Sequence, residues 1–234
     1  MGAMRSGSGI SISGGCMECG NIIIMNNVIR NMYGPGTMMN PASGIEIGSA
    51  VTNTKIYNNS INLYGNTLNG FNAISAGIYL FNSAPEIYNN CIVSTLGIKT
   101  DGTGDGAAGV YFQGSFDSLI NMNNNSYYVA STGTGRNSVA AINNWTEQFY
   151  YQDLRTWVQA YGRDRNSVEG NPYYISNDNL LPDTANSNCW LLYRKAMPGT
   201  IVPIDIRGLA RSTTLAAGPA CIGAYEFQTN TAPP

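Results

Sequence analysis

Apolar and polar positions repeat along this chain in blocks of nearly constant length. The stretch Ile24-Met-Asn-Asn-Val-Ile29 returns as Ile56-Tyr-Asn-Asn-Ser-Ile61, as Ile87-Tyr-Asn-Asn-Cys-Ile92 and, more loosely, as Met122-Asn-Asn-Asn-Ser-Tyr127. Successive copies start 32, 31 and 35 residues apart. A period in that range marks stacked supersecondary units, each unable to bury its apolar face alone. A second phrase, Ser8-Gly-Ile-Ser-Ile-Ser13, alternates polar and apolar residues with the period of a half-buried strand. It returns as Ser43-Gly-Ile-Glu-Ile-Gly48, Ala76-Gly-Ile-Tyr-Leu-Phe81 and Ala108-Gly-Val-Tyr-Phe-Gln113. Each unit therefore carries at least two strands, and successive copies of one strand run the same way, giving parallel sheets. Gly7, Gly9, Gly44, Gly77 and Gly109 fall where a coil is expected to turn tightly.

Alternation then assigns faces. Ile10, Ile12, Ile45, Ile47, Ile78, Leu80, Val110 and Phe112 point inward, as do Ile24, Ile56, Ile87 and Met122. Outward lie Ser11, Glu46, Tyr79 and Tyr111 on one sheet, and Met25, Tyr57, Tyr88 and Asn123 on the next. Lys55 falls one rung from Glu86, a favourable cross-strand pair with a structural role. The aligned Asn26, Asn58, Asn89 and Asn124 are expected to stack amide on amide as a structural ladder. Asparagine also tolerates the left-handed backbone of a sharp corner.

After Tyr128 the rhythm weakens and the period changes. Tyr150, Leu154, Trp157, Val158 and Tyr161 are spaced as the apolar face of an amphipathic helix, with Thr146 as N-cap and Gly162 as stop. That helix, with the segments 173–175 and 191–193, is expected to shield the open end of the stack. Loops 33–41, 64–73 and 96–107 vary in length, as insertions on a binding face do. Within the last, Asp101 and Asp105 are candidate calcium ligands, although no distal bidentate Glu follows and a plain turn is the alternative.

Charged residues make up only 11% of the chain, against about 25% in an average soluble domain. The surface is therefore covered by Asn, Ser, Thr, Gly and Tyr, which suits hydroxyl-rich partners. With 12 basic and 14 acidic residues there is no positive stripe for nucleic acid. Histidine is absent, which removes the commonest general base and metal ligand together. Five cysteines leave at least one unpaired within the chain. Cys16 and Cys19 have zinc-knuckle spacing without a second pair to complete four ligands. A buried or partly paired thiol and a Cys189–Cys221 disulfide stay open as alternatives. No apolar run is long enough for membrane insertion.

The Ile-x-Asn-Asn-x-Ile repeat, the coil length and the Gly-Ile-x-Ile strand together resemble the right-handed parallel β-helix, the pectate-lyase-like solenoid of three sheets. The tail resembles the end of secreted β-helix proteins of Bacteroidetes-type bacteria. It runs Trp157, Gly162-Arg-Asp-Arg-Asn-Ser167, Asn171-Pro172, Asp205-Ile-Arg-Gly-Leu-Ala-Arg211, and closes on Ile222-Gly-Ala-Tyr-Glu226. The resemblance implies an all-β fold of about four to five coils, with a short C-terminal α-helix and an irregular capping segment. Residues 1–8 read as an expression scar or tail, 9–145 as coils, 146–227 as helix and cap of the same domain, and 228–234 as the start of a linker.

The resemblance also implies a secreted or outer cell-surface location and a monomeric module of a longer chain, in contact with polysaccharide or cell-surface glycan. The candidate sugar-contacting residues are Tyr79 with Tyr111, Tyr57 with Tyr88, and Glu46, because outward aromatic faces one rung apart can cover sugar rings. Lyases of this architecture gather carboxylates around calcium beside an Arg or Lys base, and its hydrolases use neighbouring Asp residues. The outward strand positions here offer only Glu46, Lys55 and Glu86, with no close carboxylate pair. A non-catalytic structural or adhesive module is therefore expected, with a polysaccharide lyase or glycoside hydrolase as the alternative and no cofactor other than calcium.

Overall fold

The computed structural model describes residues 7–12, 19–32, 41–65, 73–97, 106–116, 120–133, 135–198, 202–212 and 220–232. Three sheets wind round one core. The first carries Ser8–Ile12, Ala42–Ile47, Ile74–Phe81, Gly106–Gln113 and Arg136–Asn143, all parallel. The second carries Ile23–Met25, Lys55–Tyr57, Glu86–Tyr88 and Met122–Asn123. The third carries Val28–Arg30, Ser60–Leu63, Cys91–Ser94, Ser126–Val129 and a short Val168–Glu169. Equivalent residues are register partners on successive rungs, as in Ile24, Ile56, Ile87 and Met122.

This is the parallel β-solenoid the repeat predicts. The second sheet has three rung-to-rung steps, so the regular solenoid makes about three turns rather than four to five. The period persists to Arg136–Asn143, the last parallel strand of the first sheet, where the chain reverses before Val168–Glu169 adds one short rung to the third sheet. Gln148–Tyr151 pairs antiparallel with Arg136–Asn143.

The core is largely aliphatic, with Phe112, Tyr127 and Trp157 joining it. Ile45, Ile56, Ile61, Ile78, Ile87 and Ile92 are all fully buried, one column from each sheet. Gly9, Gly44, Gly77 and Gly109 lie within or beside this packing, in mid-strand and not at turns. A Cβ on Gly77 would stand 2.2 Å from Ile92 Cγ2 and 2.8 Å from the Gly109 carbonyl. Glycine is needed there because the first sheet presses its backbone against the third.

The corner between second and third sheets is cut by an asparagine pair on every rung. The first of each pair takes the left-handed conformation, with φ of 55° at Asn26, 52° at Asn58, 60° at Asn89 and 54° at Asn124. That step breaks the in-and-out alternation, so the second asparagine turns inward. Asn27 Nδ2 donates to Asn59 Oδ1 at 2.9 Å, Asn59 to Asn90 at 2.9 Å, and Asn90 to Asn125 at 3.1 Å. The continuous ladder is thus one residue on from the expected one, which makes a single 3.5 Å link from Asn89 to Asn58.

The helix is Leu154–Tyr161, shorter than the periodicity suggests. Asp153, not Thr146, is the N-cap, accepting from the Thr156 amide at 2.7 Å. Thr146 instead sits in the reversal held by Asn144, whose Oδ1 accepts from the Thr146 and Glu147 amides. Gly162 stops the helix with φ 67°, as expected. Trp157 is fully buried and stacks on Phe112, closing the core at this end. The segments 173–175 and 191–193 do not share that task. Tyr174, Trp190 and Tyr193 pack with Cys91 and Val93 on the outer side of the third sheet.

Candidate functional site

The outward tyrosines of the first sheet are covered. Tyr79 and Tyr111 are 3% and 1% exposed, in an outer cluster with Ile74, Ala76, Ala108 and Ala141 that Phe81 and Tyr150 flank. Their rings lie 5.9 Å apart and tilted by 33°, each shielding the other. Tyr79 donates to Gln113, and Asn143 Nδ2 donates to the Tyr111 hydroxyl at 3.2 Å. This row packs the sheet, with no open ring face for a sugar. The sequence pattern gives the face of a side chain, not what lies over it. Glu46 is half-buried at the same face, where it accepts from Ser8 Oγ at 2.6 Å.

On the second sheet Tyr57 is buried and Tyr88 half-buried, with ring centroids 5.7 Å apart. Tyr57 donates to Glu86, and Lys55 Nζ stands 3.9 Å from the same carboxylate. Burial and then the Glu86 hydrogen bond push the Tyr57 phenol well above its ordinary value. It stays protonated and is a poor general base. Asn21, Ile23 and Asn53 complete a shallow depression around Lys55 and Glu86.

The motifs of the tail are built into the fold. Asp164, 1% exposed and at φ 54°, terminates the asparagine ladder. Its carboxylate accepts from Asn125 Nδ2, Tyr127 Oη and Trp157 Nε1, each at 3.0 Å, and from Ser167 Oγ. Burial raises its pKa above the ordinary aspartate value, and these donors offset only part of that. Lys195, Met197 and Ile204 lie along the corner as parts of a strap, tied to the outer asparagines. Asn124 donates to the Lys195 carbonyl at 2.8 Å, Asn89 accepts from the Met197 amide at 2.6 Å, and Asn26 donates to the Ile204 carbonyl at 2.6 Å.

Arg211 is 5% exposed and clamps the strap. It donates to Glu226 Oε1 at 2.6 Å, Asn26 Oδ1 at 2.9 Å and the Gly223 carbonyl at 2.9 Å. Burial lowers the Arg211 pKa and raises that of Glu226, and their mutual attraction opposes both shifts. Asp205 closes a turn by accepting from the amides of Arg207, Leu209 and Glu226. Gly223 approaches so closely that a Cβ would lie 2.8 Å from Ser60 Oγ. The Asp205-to-Arg211 and Ile222-to-Glu226 phrases are two halves of one internal clasp.

Cys91, Cys189 and Cys221 are free and buried, so the Cys189–Cys221 disulfide does not form. Burial pushes the Cys91 and Cys221 thiols up to about 12, which keeps them inert. Cys16, Asp101 and Asp105 lie outside the described residues. Among the described residues no three His, Cys, Asp or Glu side chains gather in a metal-binding group.

A cleft of about 320 Å³ opens between the third sheet and residues 171–177. Its floor is the outward row Asn62, Val93 and Tyr128, register partners on successive rungs. The wall is anchored by Asp178, which accepts from Tyr64 Oη at 2.7 Å and pairs with Arg30. The Tyr64 hydroxyl, with Arg30, holds the exposed Asp178 carboxyl below its ordinary value. A depressed folded value means that this anchor is complete above the ordinary aspartate value of 3.8 and is lost as pH falls through the lower, folded one. A carboxyl-detected NMR titration is expected to place Asp178 below 3.8, and Tyr64→Phe to move it upward. An unshifted midpoint in both proteins would mean that the anchor is absent in solution.

Comparisons of this chain with protein-family models, with curated proteins and with solved structures found no match.

Proposed function

We propose that this chain is a non-catalytic module of a secreted or cell-surface bacterial β-helix protein, a structural and adhesive surface that contacts polysaccharide. The observation that carries this reading is how the buried charged groups of the tail are used. Asp164 ends the ladder, Asp205 closes a turn, and Arg211 with Glu226 clamps the strap. The exposed surface mixes amides, hydroxyls and phenols with scattered charged residues such as Arg155, Arg165, Glu169 and Lys195, and its amides and hydroxyls are the chemistry that meets hydroxyl-rich polymers. The right-handed winding and the kinship with Bacteroidetes-type secreted proteins belong to the same reading, supported by the tail phrases.

A polysaccharide lyase or glycoside hydrolase is the competing reading, and Lys55, Tyr57 and Glu86 are where it would act. Glycoside hydrolysis needs two facing carboxylates. Glu86 faces a lysine and a phenol instead, and that phenol is held protonated. The test incubates the protein with neutral and acidic polysaccharides, with and without calcium. Retention on the polymer is expected, with neither unsaturated uronide absorbance nor new reducing ends above buffer. Product release that Glu86→Gln abolishes would overturn the non-catalytic reading.

A further inference from the structure

We propose that the cleft between the third sheet and residues 171–177 is a binding site for a neutral oligosaccharide. The inference rests on the polysaccharide-contact reading and gives it a location, since the tyrosine row of the first sheet is buried. Three observations converge on it.

The first is chemical. Among the described residues none of the side chains lining the cleft is charged; they are asparagine amides, hydroxyls, tyrosines and one valine. Such a lining offers donors and acceptors to sugar hydroxyls and gives an acidic sugar no counter-charge. The second is an exposed aromatic residue. Tyr173 is 45% exposed at the cleft, unlike Tyr79 and Tyr111, and a ring of that kind can cover the apolar face of a pyranose. The volume of about 320 Å³ is at the lower end for small-molecule sites and admits one or two sugar units.

The third is an unsatisfied group in the floor. Asn62 is 1% exposed, and its amide oxygen has no donor. Its Nδ2 reaches Asn177 only through long contacts of 3.3 and 3.4 Å. A buried acceptor without a donor is costly, and a ligand hydroxyl entering between Asn62 and Asn177 would supply the missing one. Asn177 lies beside the Asp178 anchor, which holds the wall in place without placing a charge in the lining.

The test screens the intact chain on an array of neutral and acidic glycans. Calorimetry then follows with neutral glucose, mannose and xylose tetrasaccharides and tetragalacturonate as the acidic comparator. Neutral glycans are expected to bind, with affinity falling at least about tenfold in Tyr173→Ala and in Asn177→Ala. Trp145→Ala, which removes an exposed aromatic elsewhere (52% exposed), is expected to leave it unchanged. Neutral binding that survives both cleft substitutions overturns this site and leaves the adhesive reading standing. Binding confined to acidic glycans overturns the ligand class. Absence of binding to any glycan overturns both the cleft and the polysaccharide-contact reading.

Discussion

Asp164→Ala is expected to lower the unfolding free energy by about 3–5 kcal/mol, the cost of removing a buried charged partner from groups that depend on it. The asparagine ladder has a direction. Each amide oxygen accepts from the rung before it, so the last rung is left with donors to place. Asp164 receives one of them from Asn125, together with the hydroxyl of Tyr127 and the indole N–H of Trp157. With alanine, three buried donors from the ladder, the core and the helix lose their acceptor at once. Asp164→Asn keeps the size but turns an NH2 towards other donors, and an intermediate loss is expected. Denaturant melts measure both, through a lower midpoint at unchanged slope. A loss below about 1 kcal/mol in the alanine variant would show that the ladder does not depend on this end.

Arg211→Ala is the second large effect, again about 3–5 kcal/mol, because it leaves Glu226 without its partner in a largely buried setting. The damage is expected to be local. Residues 202–212 and 220–227 should exchange amide protons faster and become open to protease, while the solenoid keeps its far-ultraviolet circular dichroism. Arg207→Ala is the contrast. Its side chain is 41% exposed, pairs with Asp205 at 3.3 Å and lies over the Tyr225 ring, so a change within about 1 kcal/mol is expected. Equal losses from the two arginines would contradict the clasp.

Much of the fold was legible in the sequence, because a solenoid repeats its errors as well as its signals. Period, strand direction and the inward columns of Ile56, Ile87 and their equivalents follow from spacing and alternation alone. The ladder was displaced by one residue for a local reason. In an Asn-Asn pair either residue can take the left-handed corner, and only the backbone decides that the first does so and the second turns inward. The helix start was misplaced because Tyr150 fits the helical stripe and also pairs as a strand with Ala141.

The candidate site was less legible. Tyr79 and Tyr111 face away from the core as alternation requires, but burial depends on neighbours such as Tyr150 that lie far along the chain. The cleft joins Asn62 to Asn177 across more than a hundred residues, a contact no periodicity encodes. Tyr64 and Asp178, which hold its wall, carry no motif at all. A cluster of Asn, Ser and Tyr at 171–177 in a chain this poor in charge was the only available hint.

Direct stacking of equivalent residues is tested most plainly by backbone contacts between rungs in an isotope-labelled sample. Nuclear Overhauser effects should link Ile24 to Ile56, Ile56 to Ile87 and Ile87 to Met122 in the parallel pattern, with the side-chain amides of Asn59 and Asn90 protected from exchange. Antiparallel contacts among these strands, or freely exchanging Asn59 and Asn90 amides, would contradict the solenoid and every surface derived from it.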